Sequence, residues 1–86
     1  MHSLERLFKG VANKRRIAIL AYLKKKKSAR VGAIADDIRL SLKATSKHLA
    51  ILSAAGFLDR EQVSLEMHYR ISEDLPEAAK SILTIL

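Results

Sequence analysis

Lys43, Ala44, Ser46 and Lys47 crowd into one short stretch of the chain. At the angular step of an α-helix they form a short-chained, basic face. Two amines flanking small and hydroxylated side chains suit contact with a polyanion: the amines meet negative oxygens, and the small residues allow close approach. Leu42, Thr45, Leu49 and Leu52 recur at the same helical spacing on another side, so one helix packs with one side and meets its partner with the other. Ser41 caps its start and Gly56 suits its end.

The elements that must hold this helix follow from the preceding residues. Leu4, Leu7, Phe8 and Val11 follow the i, i+3, i+4, i+7 pattern of a short first helix, interrupted near Gly10. Asn13 caps a second helix whose apolar side is broad (Ile17, Leu20, Ala21 and Leu23, with Ile19 and Tyr22 beside them), which predicts central burial. It runs into Lys24-Lys25-Lys26-Lys27, four cations that either complement the helix's own C-terminal carbonyls or reach a polyanion. Ser28 is the expected cap of a third helix carrying Val31, Ile34, Ala35 and Ile38, with Asp36 and Asp37 on its exposed side. Arg39-Leu40-Ser41 joins the third helix to the fourth, a helix-turn-helix spacing in which Arg39 stands where a glycine is usual. A left-handed Arg39 costs ~1 kcal/mol relative to glycine.

After Gly56 the pattern alternates. Met67, Tyr69 and Ile71 interleave with Glu66, His68 and Arg70, as in a strand with one packed face. With Phe57 to Val63 this predicts a hairpin, although Val63-Ser64-Leu65 is poor turn chemistry. Pro76 fits the first turn of a last helix. There Leu75, Ala78, Ala79, Ile82, Leu83 and Leu86 form a stripe that Ile85 enlarges. So apolar a stripe predicts a homodimer, with Leu4, Leu7, Phe8, Ala79, Ile82, Leu83 and Leu86 as its surface.

The 86 residues are read as one domain, 1–86, with net charge +7. The charge is uneven: residues 1–48 hold thirteen Lys and Arg against three Asp and Glu, and residues 49–86 hold three against six. The basic half ends in the fourth helix, which puts a phosphate-facing side there. With no cysteine, thiolate metal sites and cysteine nucleophiles are excluded. The N-terminal residues lack a signal peptide's apolar run and no stretch is long enough to span a membrane, so the expectation is a soluble cytoplasmic protein. Without a Gly-rich phosphate loop or nucleophile elbow, an enzyme is not expected.

Asn13-Lys14-Arg15-Arg16-Ile17-Ala18-Ile19-Leu20, Thr45-Ser46-Lys47-His48-Leu49, Leu52 to Leu58 and Tyr69-Arg70-Ile71 resemble, in order, the motifs of ArsR-type winged-helix transcriptional repressors. The resemblance covers about residues 4 to 72. It implies a mostly α (α+β) winged helix-turn-helix fold of four helices, a two-stranded wing and a C-terminal helix. It implies a homodimer on a palindromic double-stranded DNA operator, with Ser41, Lys43, Ala44, Thr45, Ser46 and Lys47 facing the DNA. The amines suit guanine edges or phosphates, and Ala44 leaves room for a thymine methyl. His48 fits the family either as a packing histidine or as a phosphate contact.

Three stretches depart from the family. Where its metal sensors carry cysteines or Asp and His ligands, this chain has Arg30-Val31-Gly32 and Glu77-Ala78-Ala79-Lys80-Ser81, and His2, His48 and His68 are scattered, so neither metal nor cofactor is expected. The wing tip, Val63-Ser64-Leu65-Glu66, is not basic, which leaves Arg60, His68 and Arg70 as the wing's phosphate contacts. The competing expectation is a winged-helix module for protein assembly or RNA binding, because a fold does not fix a function. The basic first half and the absence of exposed stacking aromatics on the fourth helix weigh against it.

Overall fold

The computed structural model describes residues 3–86. Along the chain run α1 (Leu4–Val11), α2 (Lys14–Lys26), β1 (Ser28–Arg30), α3 (Val31–Ile38), α4 (Leu42–Ala54), β2 (Leu58–Val63), β3 (Glu66–Ile71) and α5 (Glu77–Thr84). Side chains start three of the helices. Ser3 Oγ accepts the Arg6 amide, Asn13 Oδ1 those of Arg15 and Arg16 at 2.9 and 3.1 Å, and Ser41 Oγ that of Ala44. Each bond satisfies an amide that has no partner within its helix.

Two helix ends share one geometry. At the end of α4 the Phe57 amide reaches Leu52 O and the Gly56 amide reaches Ser53 O, with Gly56 at φ 95°. The end of α3 repeats this with Leu40 to Ala35 O and Arg39 to Asp36 O, so Arg39 takes the left-handed conformation (φ 56°, ψ 53°) that glycine would take more cheaply. The tight turn between α3 and α4 is therefore set by backbone bonds despite its side chain.

Ser28 does not cap α3, a correction to the sequence reading. It begins β1, whose residues pair antiparallel with β3 (Ser28 with Arg70, Ala29 with Tyr69, Arg30 with His68), and α3 starts straight from Arg30 with no side-chain cap. The sheet thus has three strands in the order β1-β3-β2 rather than the two of a bare hairpin. The wing turns through Ser64 at φ 59°, the positive value that a two-residue hairpin loop needs at its first central position. Pro76 sits one residue outside α5, at its N-cap.

The core is aliphatic around one large aromatic. Phe57, Leu7, Ile19, Leu20, Leu23, Ile34, Leu49 and Leu52 are all fully buried. Gly10 lets α1 approach this centre: a Cβ there would stand 3.2 Å from Ala55 Cβ. Three residues expected on packed sides, Ala21 of α2 among them, are exposed instead. Leu42, at 59%, lies in the first turn of α4, and Ile17 points out from α2.

Candidate nucleic-acid interface

Helix α4 is seated by Thr45, Leu49 and Leu52, which leaves Lys43, Ser46 and Lys47 exposed. Ala44 is half-buried, and Ser41 is exposed with its hydroxyl held by the Ala44 amide. Thr45 corrects the expectation that it faces DNA: it is 0% exposed, in the packed row. The outward surface is therefore two amines, a free hydroxyl and the positive N-terminal end of a helix dipole.

Two arginines of α2 fix this helix in place. Arg16 donates from Nε to Gly10 O at 2.6 Å and from Nη2 to Lys9 O at 3.1 Å, closing the end of α1, while its Nη1 stands 3.2 Å from His48 Nδ1 on α4. Arg15 Nη1 donates to Ile38 O at 2.8 Å, closing the end of α3 just before the turn. A guanidinium has donors only, so His48 meets Arg16 with an unprotonated Nδ1. Burial, then Arg16 and Arg15 nearby, hold the His48 imidazole below its ordinary pKa. His48 is half-buried and engaged from within the fold.

Sequence reasoning counted Arg15 and Arg16 as part of a basic surface and missed this positioning role. Charge counts cannot separate a cation aimed at a carbonyl from one aimed at solvent. Arg39, read from the sequence only as a turn residue, and Lys14, on either side of the Arg15–Ile38 link in sequence, are exposed cations near this face that the sequence did not place there.

The wing divides its cations between two faces. Directly paired residues share a face and neighbours along a strand alternate, so Arg60 lies with Tyr69 while His68 and Arg70 lie opposite with Arg30, Glu61 and Glu66. That second face is paired within itself. Arg30 Nη1 bonds Glu66 Oε2 at 2.7 Å, His68 Nε2 stands 3.9 Å from the same carboxylate, and Arg70 Nη1 lies 4.0 Å from both Glu61 and Glu73. The hydrogen bond to Glu66 raises the Arg30 pKa, and the bond from Arg30 lowers that of Glu66. Arg60 is exposed, with no carboxylate within salt-bridge distance among the described residues.

The residues expected at a dimer surface fall into two sets. Leu7, Ala79 and Leu83 are buried within the protomer, whereas Leu4 (60%) and Phe8 (56%) are exposed and Ile82 and Leu86 are half-buried. Ile85, at 82%, adds to the exposed set. Among the described residues no three His, Cys, Asp or Glu side chains converge as metal ligands; His2 lies outside those residues.

A family model described as "Bacterial regulatory protein, arsR family" matches residues 13–60, more than half of the chain and the whole of α2 to α4. The chain belongs to the arsR family. Solved structures agree across nearly its full length. HlyU from Vibrio cholerae N16961 is 29% identical with a TM-score of 0.79, over 93% of this chain and 83% of its own. The homodimeric winged helix-turn-helix DNA-binding domain Mb0332 from Mycobacterium bovis is 27% identical with a TM-score of 0.82, over 95% and 72%. The transcriptional repressor PagR of Bacillus anthracis is 26% identical with a TM-score of 0.79, over 94% and 88%. No curated protein sequence matched. This ArsR-family chain is thus a winged helix-turn-helix DNA-binding regulator, with the fold that its motifs implied, and family and fold are those of regulators rather than enzymes. No helix is long and apolar enough to cross a membrane among the described residues.

Proposed function

We propose that this ArsR-family protein is a sequence-specific repressor that binds double-stranded DNA as a homodimer and does so without sensing a metal. The observation that carries the reading is the outward face of α4, where Lys43, Ser46 and Lys47 are exposed on a helix anchored by Arg15, Arg16 and its own packed row. These side chains enter the major groove, and Arg39, Lys14 and Arg60 meet flanking phosphates. Thr45 takes no part, and His48 acts by positioning. His68 faces Glu66, and Arg70 has Glu61 and Glu73 at 4.0 Å, near enough to offset its charge though not to hydrogen-bond it, so α4 carries most of the contact.

Pairing through Leu4, Phe8, Ile82, Ile85 and Leu86 would cover the exposed apolar residues of α1 and α5 and give α4 the symmetry that a palindromic operator requires. The homodimeric Mb0332 and the repressor PagR support pairing and repression respectively. The absence of cysteine, which removes every thiolate ligand, supports a metal-independent protein.

The test is a binding assay over a salt series on an operator selected from genomic fragments. Lys43→Ala and Lys47→Ala should each weaken binding by roughly tenfold, a loss of ~1–3 kcal/mol, and flatten the salt slope by ~1 if the contact is to phosphate. Affinity indifferent to salt and to both substitutions would overturn the reading. A monomer by sedimentation at tens of micromolar would overturn the pairing alone.

A further inference from the structure

An open groove of about 600 Å³ runs between the end of α2, the end of β3 and α5. Its floor is apolar, made by Leu23, Ile71, Leu75 and Leu83. Its rim is cationic: Lys24, Lys27, Arg70 and Lys80 stand around it, with Glu73 as the single carboxylate of the lining and Glu77, just outside it, 3.4 Å from Lys80 Nζ on the exposed side. The volume falls in the range of sites for small organic ligands. An apolar floor beneath four cations matches a molecule with an apolar body and an anionic head.

Two of the rim groups are incompletely matched from within the protein. Arg70 Nε is buried with no hydrogen-bond partner, and its guanidinium meets Glu61 and Glu73 only at 4.0 Å. The guanidinium as a whole is partly exposed, so its terminal nitrogens are open to a carboxylate in the groove. Lys24 Nζ donates to Leu83 O at 2.8 Å and Leu86 O at 3.2 Å, holding the C-terminal end of α5, and an ammonium retains a third donor for a ligand.

We infer that this groove binds a small amphipathic carboxylate of the fatty-acid type, the chain lying along Leu23, Ile71, Leu75 and Leu83 and the head taken by Arg70, Lys80 and Lys24. The groove uses the flank of α5 that carries Lys80 and Thr84. Ile82 and Ile85 lie on the opposite flank by helical spacing, so the site stays open when α5 pairs. Lys24 links the two: a carboxylate that draws it from the α5 carbonyls loosens the helix through which the protomers meet. That consequence rests on the pairing proposed above. The binding does not, so a titration can fail while the dimer stands.

The test is calorimetric titration with dodecanoate below its micelle concentration, with methyl and amide NMR spectra to locate it. The expected result is saturable binding of one dodecanoate per chain, with shifts centred on Leu23, Ile71, Leu75 and Leu83. Dodecan-1-ol should bind at least tenfold more weakly. Arg70→Gln and Lys80→Gln should each reduce affinity at least fivefold, and Lys9→Gln, a cation on α1, should leave it unchanged. Lys80 is exposed, so its variant keeps the test decisive if loss of Arg70 disturbs the sheet. Unsaturable binding, equal affinity for the alcohol, equal weakening by Lys9→Gln, or shifts centred elsewhere would each overturn the assignment.

Discussion

Arg16 Nη1 lies 3.2 Å from His48 Nδ1, so the side chain that closes α1 also bonds α4. The bond exists only while Nδ1 is unprotonated, because protonation removes the acceptor and sets two cations together. Burial and the neighbouring arginines already depress the His48 pKa. A depressed histidine pKa means that the unfolded chain binds the proton first. The stability from neutral His48 is complete above the unfolded value, about 6.5, and is lost as pH falls below it. Urea unfolding between pH 7.5 and pH 5 should therefore show the native protein losing more stability than His48→Asn, whose side-chain oxygen accepts from Arg16 without titrating. Equal losses would separate His48 from the acid response.

Arg39 holds a left-handed conformation between α3 and α4 with no side-chain bond to offset it among the described residues. Arg39→Gly should raise stability by ~1 kcal/mol, equivalent to a Tm increase of ~4–8 °C in a domain of this size. It should also weaken DNA binding by removing a cation beside α4. A thermal melt and a binding isotherm on the same sample read the two effects in opposite directions.

The helices were legible because their signals are local. Asn13 and Ser41 mark starts, Gly56 marks an end, and the apolar spacing from Leu4 to Val11 and from Thr45 to Leu52 needs only neighbouring residues to show. β1 was not legible, since Ser28-Ala29-Arg30 is too short to alternate and its reason for being extended is Tyr69, forty positions further on from Ala29. Leu42 has the right period but lies in the first turn, beyond the reach of the packed row, so spacing alone assigned it to the wrong side. The cations show the same limit. Lys24 was expected to serve either its own helix end or a polyanion, and it serves the end of α5 instead.

Glu66 engages Arg30 at 2.7 Å and lies 3.9 Å from the His68 ring. Glu66→Gln should release Arg30 toward phosphate and raise affinity for DNA at low salt by roughly threefold, with a steeper salt slope. Both side chains of the Arg30 pair are more than half exposed, so little change in stability is expected near neutral pH. The depressed Glu66 pKa favours the fold above the ordinary carboxylate range and ceases to do so as pH falls through its lowered value. The variant should therefore lose less stability than the native protein in acid. Unchanged affinity at every salt concentration would show that this face of the wing stays clear of the duplex.

Thr45 Oγ1 is buried without a hydrogen-bond partner, in the row that seats α4 between Ser41 and Leu49. A hydroxyl removed from water and left unpaired costs ~1–3 kcal/mol, whereas a methyl of the same shape costs nothing there. Thr45→Val keeps the branched shape and a similar helix propensity, so it should stabilise the protein by about 1 kcal/mol. Because the side chain points away from the outward face, affinity for the operator should stay within twofold. Denaturant unfolding and the salt-series assay check the two halves separately. A tenfold loss of affinity with stability gained would mean that α4 turns on binding to bring Thr45 to the DNA, and the packed row would then be a hinge rather than a fixed seat.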